Sequence, residues 1–201
     1  MKTSKLLVAM MAATGLALAG AGHAATSSTQ ASASSKDARN AAYKNAEAQY
    51  KSEKDACKSM TGNAKDICIE QAKGKEKIAK AEADAAWKNT PKAREHARVA
   101  KADADYKVAK EKCDDMSGNQ KDVCVKEAKA AHTKAKADAK VDRVAADTTA
   151  KSSEKTAEAR KDAAVDKRDA DYKVAIEKCD SLSGAAKDTC VKNAKTRYGK
   201  T

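Results

Sequence analysis

The stretch EKCDDMSGNQKDVCVKEAK, residues 111–129, decides the fold. Two cysteines stand eleven positions apart around a Ser-Gly in a very polar context. The pattern occurs upstream as DACKSMTGNAKDICIEQAK and downstream as EKCDSLSGAAKDTCVKNAK. Aligning the three copies superposes Tyr50, Tyr106 and Tyr172, then Cys57, Cys113 and Cys179, then Cys68, Cys124 and Cys190. Gly62, Gly118 and Gly184 mark the centres, and a Lys-Asp pair follows each at 65–66, 121–122 and 187–188.

Before the glycine, Tyr106, Ala109, Cys113 and Met116 fall at i, i+3, i+7 and i+10, one stripe of a helix. Tyr172, Ala175, Cys179 and Leu182 repeat the stripe, while copy one places Glu53 in it and so weakens its seam. After the glycine, Cys124, Ala128, Ala131 and Ala135 form a second stripe. Glycine accepts the left-handed backbone that ends a helix. The preceding Ser or Thr, or Asn63 and Asn119 after it, suit an N-cap. Asp66, Asp122 and Asp188 then come near the start of the next helix, where its dipole favours an acid. Each copy reads as a helical hairpin.

In one straight helix, eleven residues separate two side chains by about 16 Å along the axis. A disulfide needs Cα atoms about 4.4–6.8 Å apart. Doubling the chain back at the glycine brings the two cysteines together. The expected bonds are Cys57–Cys68, Cys113–Cys124 and Cys179–Cys190. Six cysteines allow 15 pairings, so bonds between molecules stay open at this stage. Zinc is disfavoured, because each copy offers two cysteines with no histidine nearby. A Cys-x-x-Cys redox motif is absent.

The N-terminus MKTSKLLVAMMAATGLALAGAGHAAT carries Lys2 and Lys5, an apolar run and a small-residue end. It reads as a signal peptide over 1–24, with export to the periplasm or beyond and an oxidising environment for the thiols. Its loss lowers the formal charge from +12 to +10. Residues 25–35 read as a flexible tail. Helical hairpin units are expected over 36–88, 91–146 and 154–201, with a break at 147–153. Thr90 suits an N-cap and Pro91 the first helical position.

Residues 25–201 hold nine Val, four Ile, one Leu and no Phe. Large aliphatic side chains are thus roughly 8% of the chain, far below what a conventional core needs. Alanine, Lys and Glu favour helix instead. The expected fold is all-α: an elongated, coiled-coil-like array of three disulfide-stapled helical hairpins joined by long Ala-rich helices, partly flexible. Such a chain lacks the apolar bulk for a pocket that shifts catalytic pKa values. His96 and His132 read as solvated, and no phosphate loop or nucleophile motif occurs. No catalytic residue, cofactor or metal site is expected. Acids interleave with the lysines, and no basic block of five or six residues occurs, so nucleic acid is disfavoured. Anionic envelope components or envelope proteins are the expected partners. Tyr50, Tyr106 and Tyr172 offer a repeated aromatic contact or pack over the open end of each seam.

The unit YKVAKEKCDDMSGNQKDVCVKEAKA, 106–130, resembles a repeat in exported Ala/Lys-rich proteins of Gram-negative bacteria. That resemblance implies export and hairpins and brings no activity with it. Residues 134–169, KAKADAKVDRVAADTTAKSSEKTAEARKDAAVDKRD, are similar to the helical stalk of TolA-type envelope proteins and to late-embryogenesis-abundant repeats. TolA-type proteins keep a membrane helix and a C-terminal globular domain, neither evident here, so a Tol role is not carried over. The expected function is a non-enzymatic envelope element. The alternatives are a conditionally folded stress protectant and a thiol- or metal-handling protein.

Overall fold

The computed structural model describes residues 35–147 and 152–200. The expected leader, nearly all of the expected tail and residues 148–151 of the expected break lie outside them. Within the described residues the chain is helical: α1 Lys36–Ala56, α2 Gly62–Lys88, α3 Pro91–Cys113, α4 Gly118–Ala145, α5 Ser152–Cys179 and α6 Gly184–Tyr198. A short 3-10 turn, Cys57–Ser59, follows α1.

Local chemistry sets the boundaries. Ser35 starts α1, its hydroxyl accepting from the Ala38 amide. Asn89 ends α2 in the left-handed region, with φ 45°. Thr90 caps α3 by accepting from the Ala93 amide, and Pro91 fills the first position, where no amide hydrogen is needed. That helix stops at Cys113 rather than running to Met116. The described part of α5 begins at Ser152, two residues before the expected Glu154.

Each helix packs on the helix before it and the one after it, and on no other. Packing between hairpins, α2 on α3 and α4 on α5, is more extensive than packing within them. Alanine burial follows from this topology. A helix between two neighbours must bury two faces, and residues i and i+2 lie about 200° apart around a helix. Accordingly α2 buries Ala72 and Gly74, α3 buries Ala102 and Ala104, and α4 buries Ala128 with Ala130 and Ala137 with Ala139. The outer helices α1 and α6 bury a single alanine each, Ala46 and Ala194. Helix α5 outruns the short α6 and buries one stripe, Thr156, Ala159, Ala163 and Ala170. The stripe expected on α4 is corrected here: Ala128 is buried, but Ala131 and Ala135 are exposed.

No residue larger than cysteine is fully buried among the described residues. At one point the backbones come closer still. A Cβ on Gly74 would meet the Ala104 Cβ at 3.0 Å. A side chain there would press on the Ala104 methyl, so α2 and α3 lie close together at this point.

Candidate functional site

The three turns share one construction. Cys57, Cys113 and Cys179 are bonded to Cys68, Cys124 and Cys190, each with Cα atoms 5.7 Å apart, and no cysteine is free. The first sulfur of each pair belongs to a residue with no exposed surface. Closing so short a loop contributes about 3 kcal/mol through the unfolded chain, which matters where alanine is nearly the whole core. Gly62, Gly118 and Gly184 have φ of 58°, 56° and 54°, with open space where a Cβ would stand. Their requirement is therefore conformational and not steric. Each opens the second helix instead of closing the first.

Three details of the turn differ from the sequence reading. Thr61, Ser117 and Ser183 occupy the N-cap position without a side-chain capping bond. The Asp of each Lys-Asp pair falls beyond the first turn, past the reach of the helix dipole. Met60, Met116 and Leu182 do not enter the seam: they stand 43%, 45% and 42% exposed beyond the disulfide, because the helix has already ended. In copies two and three the turn is bridged by Lys121–Asp114 at 2.8 Å and Lys187–Asp180 at 2.9 Å. The Lys121 ammonium holds the Asp114 carboxyl below its usual value. Copy one has Lys58 in place of the Asp, and Lys58 pairs with Asp55.

Asn63 and Asn119, read as helix caps, do something else. The Asn63 side-chain amide donates to the Glu111 carbonyl at 2.7 Å, and that of Asn119 donates to Glu177 at 3.0 Å. Each ties one hairpin to the next, two residues before the next clamp cysteine, so the three turns lie on one side. The same register places Ile67 and Val123 on the helices facing Val108 and Val174, all half-buried. It also sets Gly74 on Ala104, and in the next junction Ala130 and Ala170, both buried. On α6 the three corresponding positions are Ala185, Thr189 and Thr196, all exposed. On α1 the position of Val108 is taken by Ser52, also exposed. The faces used at both internal junctions are thus polar or truncated on the two outer helices.

The tyrosines are half-buried beside their clamps. Tyr106 stacks on His132 with ring centroids 5.0 Å apart, and Tyr172 meets Tyr198 edge-on at 6.1 Å. His132 and Tyr198 occupy the same position, eight residues after the second cysteine. Copy one has Glu76 there, and Tyr50 instead has Lys54 near its ring face. His132 is therefore not a merely solvated residue: its Nε2 also lies 2.5 Å from Asp103 Oδ1. The first hairpin has its own aromatic closure at the far end. The Arg39 guanidinium lies 4.3 Å from the Tyr43 ring centroid and 5.1 Å from that of Trp87, and it pairs with Asp84. That pairing holds the Asp84 carboxyl below its ordinary value. Glu53, expected to weaken the first seam, pairs across it with Lys75 at 2.8 Å.

Ion pairs divide the two internal junctions. Five cross from α4 to α5: Lys126–Glu177, Lys134–Asp171, Lys140–Asp162, Lys167–Asp138 and Lys178–Glu127. None crosses from α2 to α3 among the described residues. A cleft of about 350 Å³ opens at that junction, although the composition argues against any pocket. No three His, Cys, Asp or Glu come together as metal ligands among the described residues. No described helix is long and apolar enough to cross a membrane. No family model, curated protein or solved structure matches the chain.

Proposed function

We propose that the chain is an exported, non-enzymatic helical repeat protein that serves as a structural or interaction element of a cell envelope. The observation that carries this reading is one local disulfide per repeat, with no thiol left over. Such bonds persist in oxidising compartments, which agrees with a leader over 1–24. Hairpins that touch only their neighbours support an elongated, coiled-coil-like arrangement of the kind repeat proteins use to present long binding surfaces. The formal charge of +10 after leader removal favours anionic envelope components, or envelope proteins with acidic faces. The likeness of 106–130 to exported Gram-negative repeats belongs to the same reading.

The test is expression of the full chain, with a C-terminal tag, in a Gram-negative host. Expected are a periplasmic product that begins near residue 25, six oxidised cysteines and a salt-resistant envelope partner after cross-linking. A cytoplasmic product with free thiols, or capture without any partner, overturns it.

One observation favours a second reading, a conditionally folded stress protectant. The buried residues are nearly all alanine, so each contact gains little over chain entropy. Circular dichroism of the oxidised protein in dilute buffer separates the two. Strong helicity with a cooperative melt removes the protectant reading; a largely unordered spectrum that turns helical on drying supports it.

A further inference from the structure

We propose that the cleft at the α2–α3 junction binds a small organic anion built on a flat ring, such as a ring carboxylate or sulfonate. Its volume of about 350 Å³ lies at the small end of pockets that take such ligands. Gly74, Ala100 and Ala104 give small apolar lining, and the Tyr106–His132 stack supplies an aromatic wall. The acidic residues of the lining are already engaged, Glu70 by Lys73 at 2.5 Å and Asp103 by His132. Lys77 and Lys107 are left, one on each helix, and neither has a hydrogen bond or ion pair among the described residues.

The repeat supplies the comparison. At the α4–α5 junction, Lys77 is replaced by Thr133 and five ion pairs cross the seam. The first junction has no such pairing, yet it keeps two unpaired ammonium groups over an apolar, aromatic-walled hollow. An anion bound beside them supplies the missing countercharge, and a flat ring matches the apolar and aromatic lining. Simple inorganic anions make no use of that lining.

This inference does not rest on the envelope reading. The test is titration of the oxidised full chain, labelled with nitrogen-15, with 1-naphthoate and separately with neutral 1-naphthalenemethanol. Expected are saturable shifts centred on Gly74, Ala104 and His132, with naphthoate binding at least about ten-fold tighter than the alcohol. Lys77→Thr, which installs the residue of the other junction, and Lys107→Ala should each weaken naphthoate several-fold and leave the alcohol unchanged. Both replace exposed side chains, and circular dichroism checks that the helices persist. Shifts centred elsewhere, equal binding of acid and alcohol, undiminished binding by both variants, or no saturable binding overturns the proposal.

Discussion

The Asn63 side-chain amide donates to the Glu111 carbonyl at 2.7 Å, and forty-eight residues of chain separate the two. The bond joins the first hairpin to the second beside the second clamp, and Asn119 repeats it on Glu177. A carboxylate cannot donate, so Asn63→Asp and Asn119→Asp should each cost about 1 kcal/mol. In a chain of this size that lowers the melting midpoint by about 2–4 °C per site. Ala185→Asp at the matching position of α6 should leave it unchanged. A thermal melt followed at 222 nm checks all three.

The clamps should not be equivalent. Helix α6 packs only on α5, whereas α3 and α4 each have two neighbours. Removing Cys179–Cys190 by paired serine substitutions should release residues 184–198 to rapid amide exchange while protection over α2 to α4 persists. The same change at Cys113–Cys124 should lower protection in the helices on both sides of the turn. The central loss should approach about 3 kcal/mol. Equal, chain-wide loss of protection in both variants would contradict neighbour-only packing.

The hairpins and their bonds were legible because a disulfide fixes distance, and only a reversal of the chain brings residues eleven apart within reach. Burial along the helices was less legible. The stripe spacing points to one seam per hairpin, whereas inner helices face two neighbours. The sign of this lies in the sequence as paired small residues, Ala102-Asp103-Ala104, Ala128-Lys129-Ala130 and Ala137-Asp138-Ala139. At Asn63 and Asn119 the same amide can serve a cap or a distant carbonyl, and only tertiary packing chooses the carbonyl. That copy three carries Ala185 there was a clue that the Asn serves a neighbour.

Gly74 tests a close approach between helices. Its missing Cβ lies 3.0 Å from the Ala104 Cβ, so Gly74→Leu must push α2 from α3 and should cost about 1–3 kcal/mol. Thr196 holds the same register on α6, which packs on α5 alone among the described helices, and it is exposed. Thr196→Leu should stay within about 0.5 kcal/mol. Urea unfolding of the two variants measures the difference. Equal effects would mean that the α2–α3 contact does not bear on stability.

Stability should fall on the acid side. The Lys75 ammonium lowers the Glu53 carboxyl, Arg39 lowers Asp84, Lys121 lowers Asp114 and Lys200 lowers Asp169. A carboxyl depressed in the folded state stabilises above its unfolded value and loses that contribution as pH falls through the folded one. The melting midpoint should therefore hold from about pH 8 to about pH 5 and drop below about pH 4. These groups are half-buried or exposed, within reach of solvent ions, so 1 M salt should reduce the drop. Glu53→Gln should shorten the acid limb without changing the plateau by more than a degree or two.

The outer faces make the last prediction. Internal junctions use Asn63 or Asn119, Ile67 or Val123, and Gly74 or Ala130 on one side, against Val108 or Val174 on the other. Helix α6 offers Ala185, Thr189 and Thr196 instead, and α1 offers Ser52. Copies meeting α6 to α1 therefore lack the docking bond and must bury two threonines and a serine in its place, with no compensating apolar contact. The protein should sediment as one species from micromolar to near-millimolar concentration. Ala185→Asn, Thr189→Val, Thr196→Ala and Ser52→Val together rebuild both halves of an internal junction. Such a chain should associate head to tail into open-ended, concentration-dependent oligomers, because a heterologous contact without closure propagates. Mixing a chain that carries only the α6 changes with one that carries only Ser52→Val should stop at heterodimers. Wild-type association through these faces, or a quadruple variant that remains a single species, would show that other contacts govern docking between hairpins.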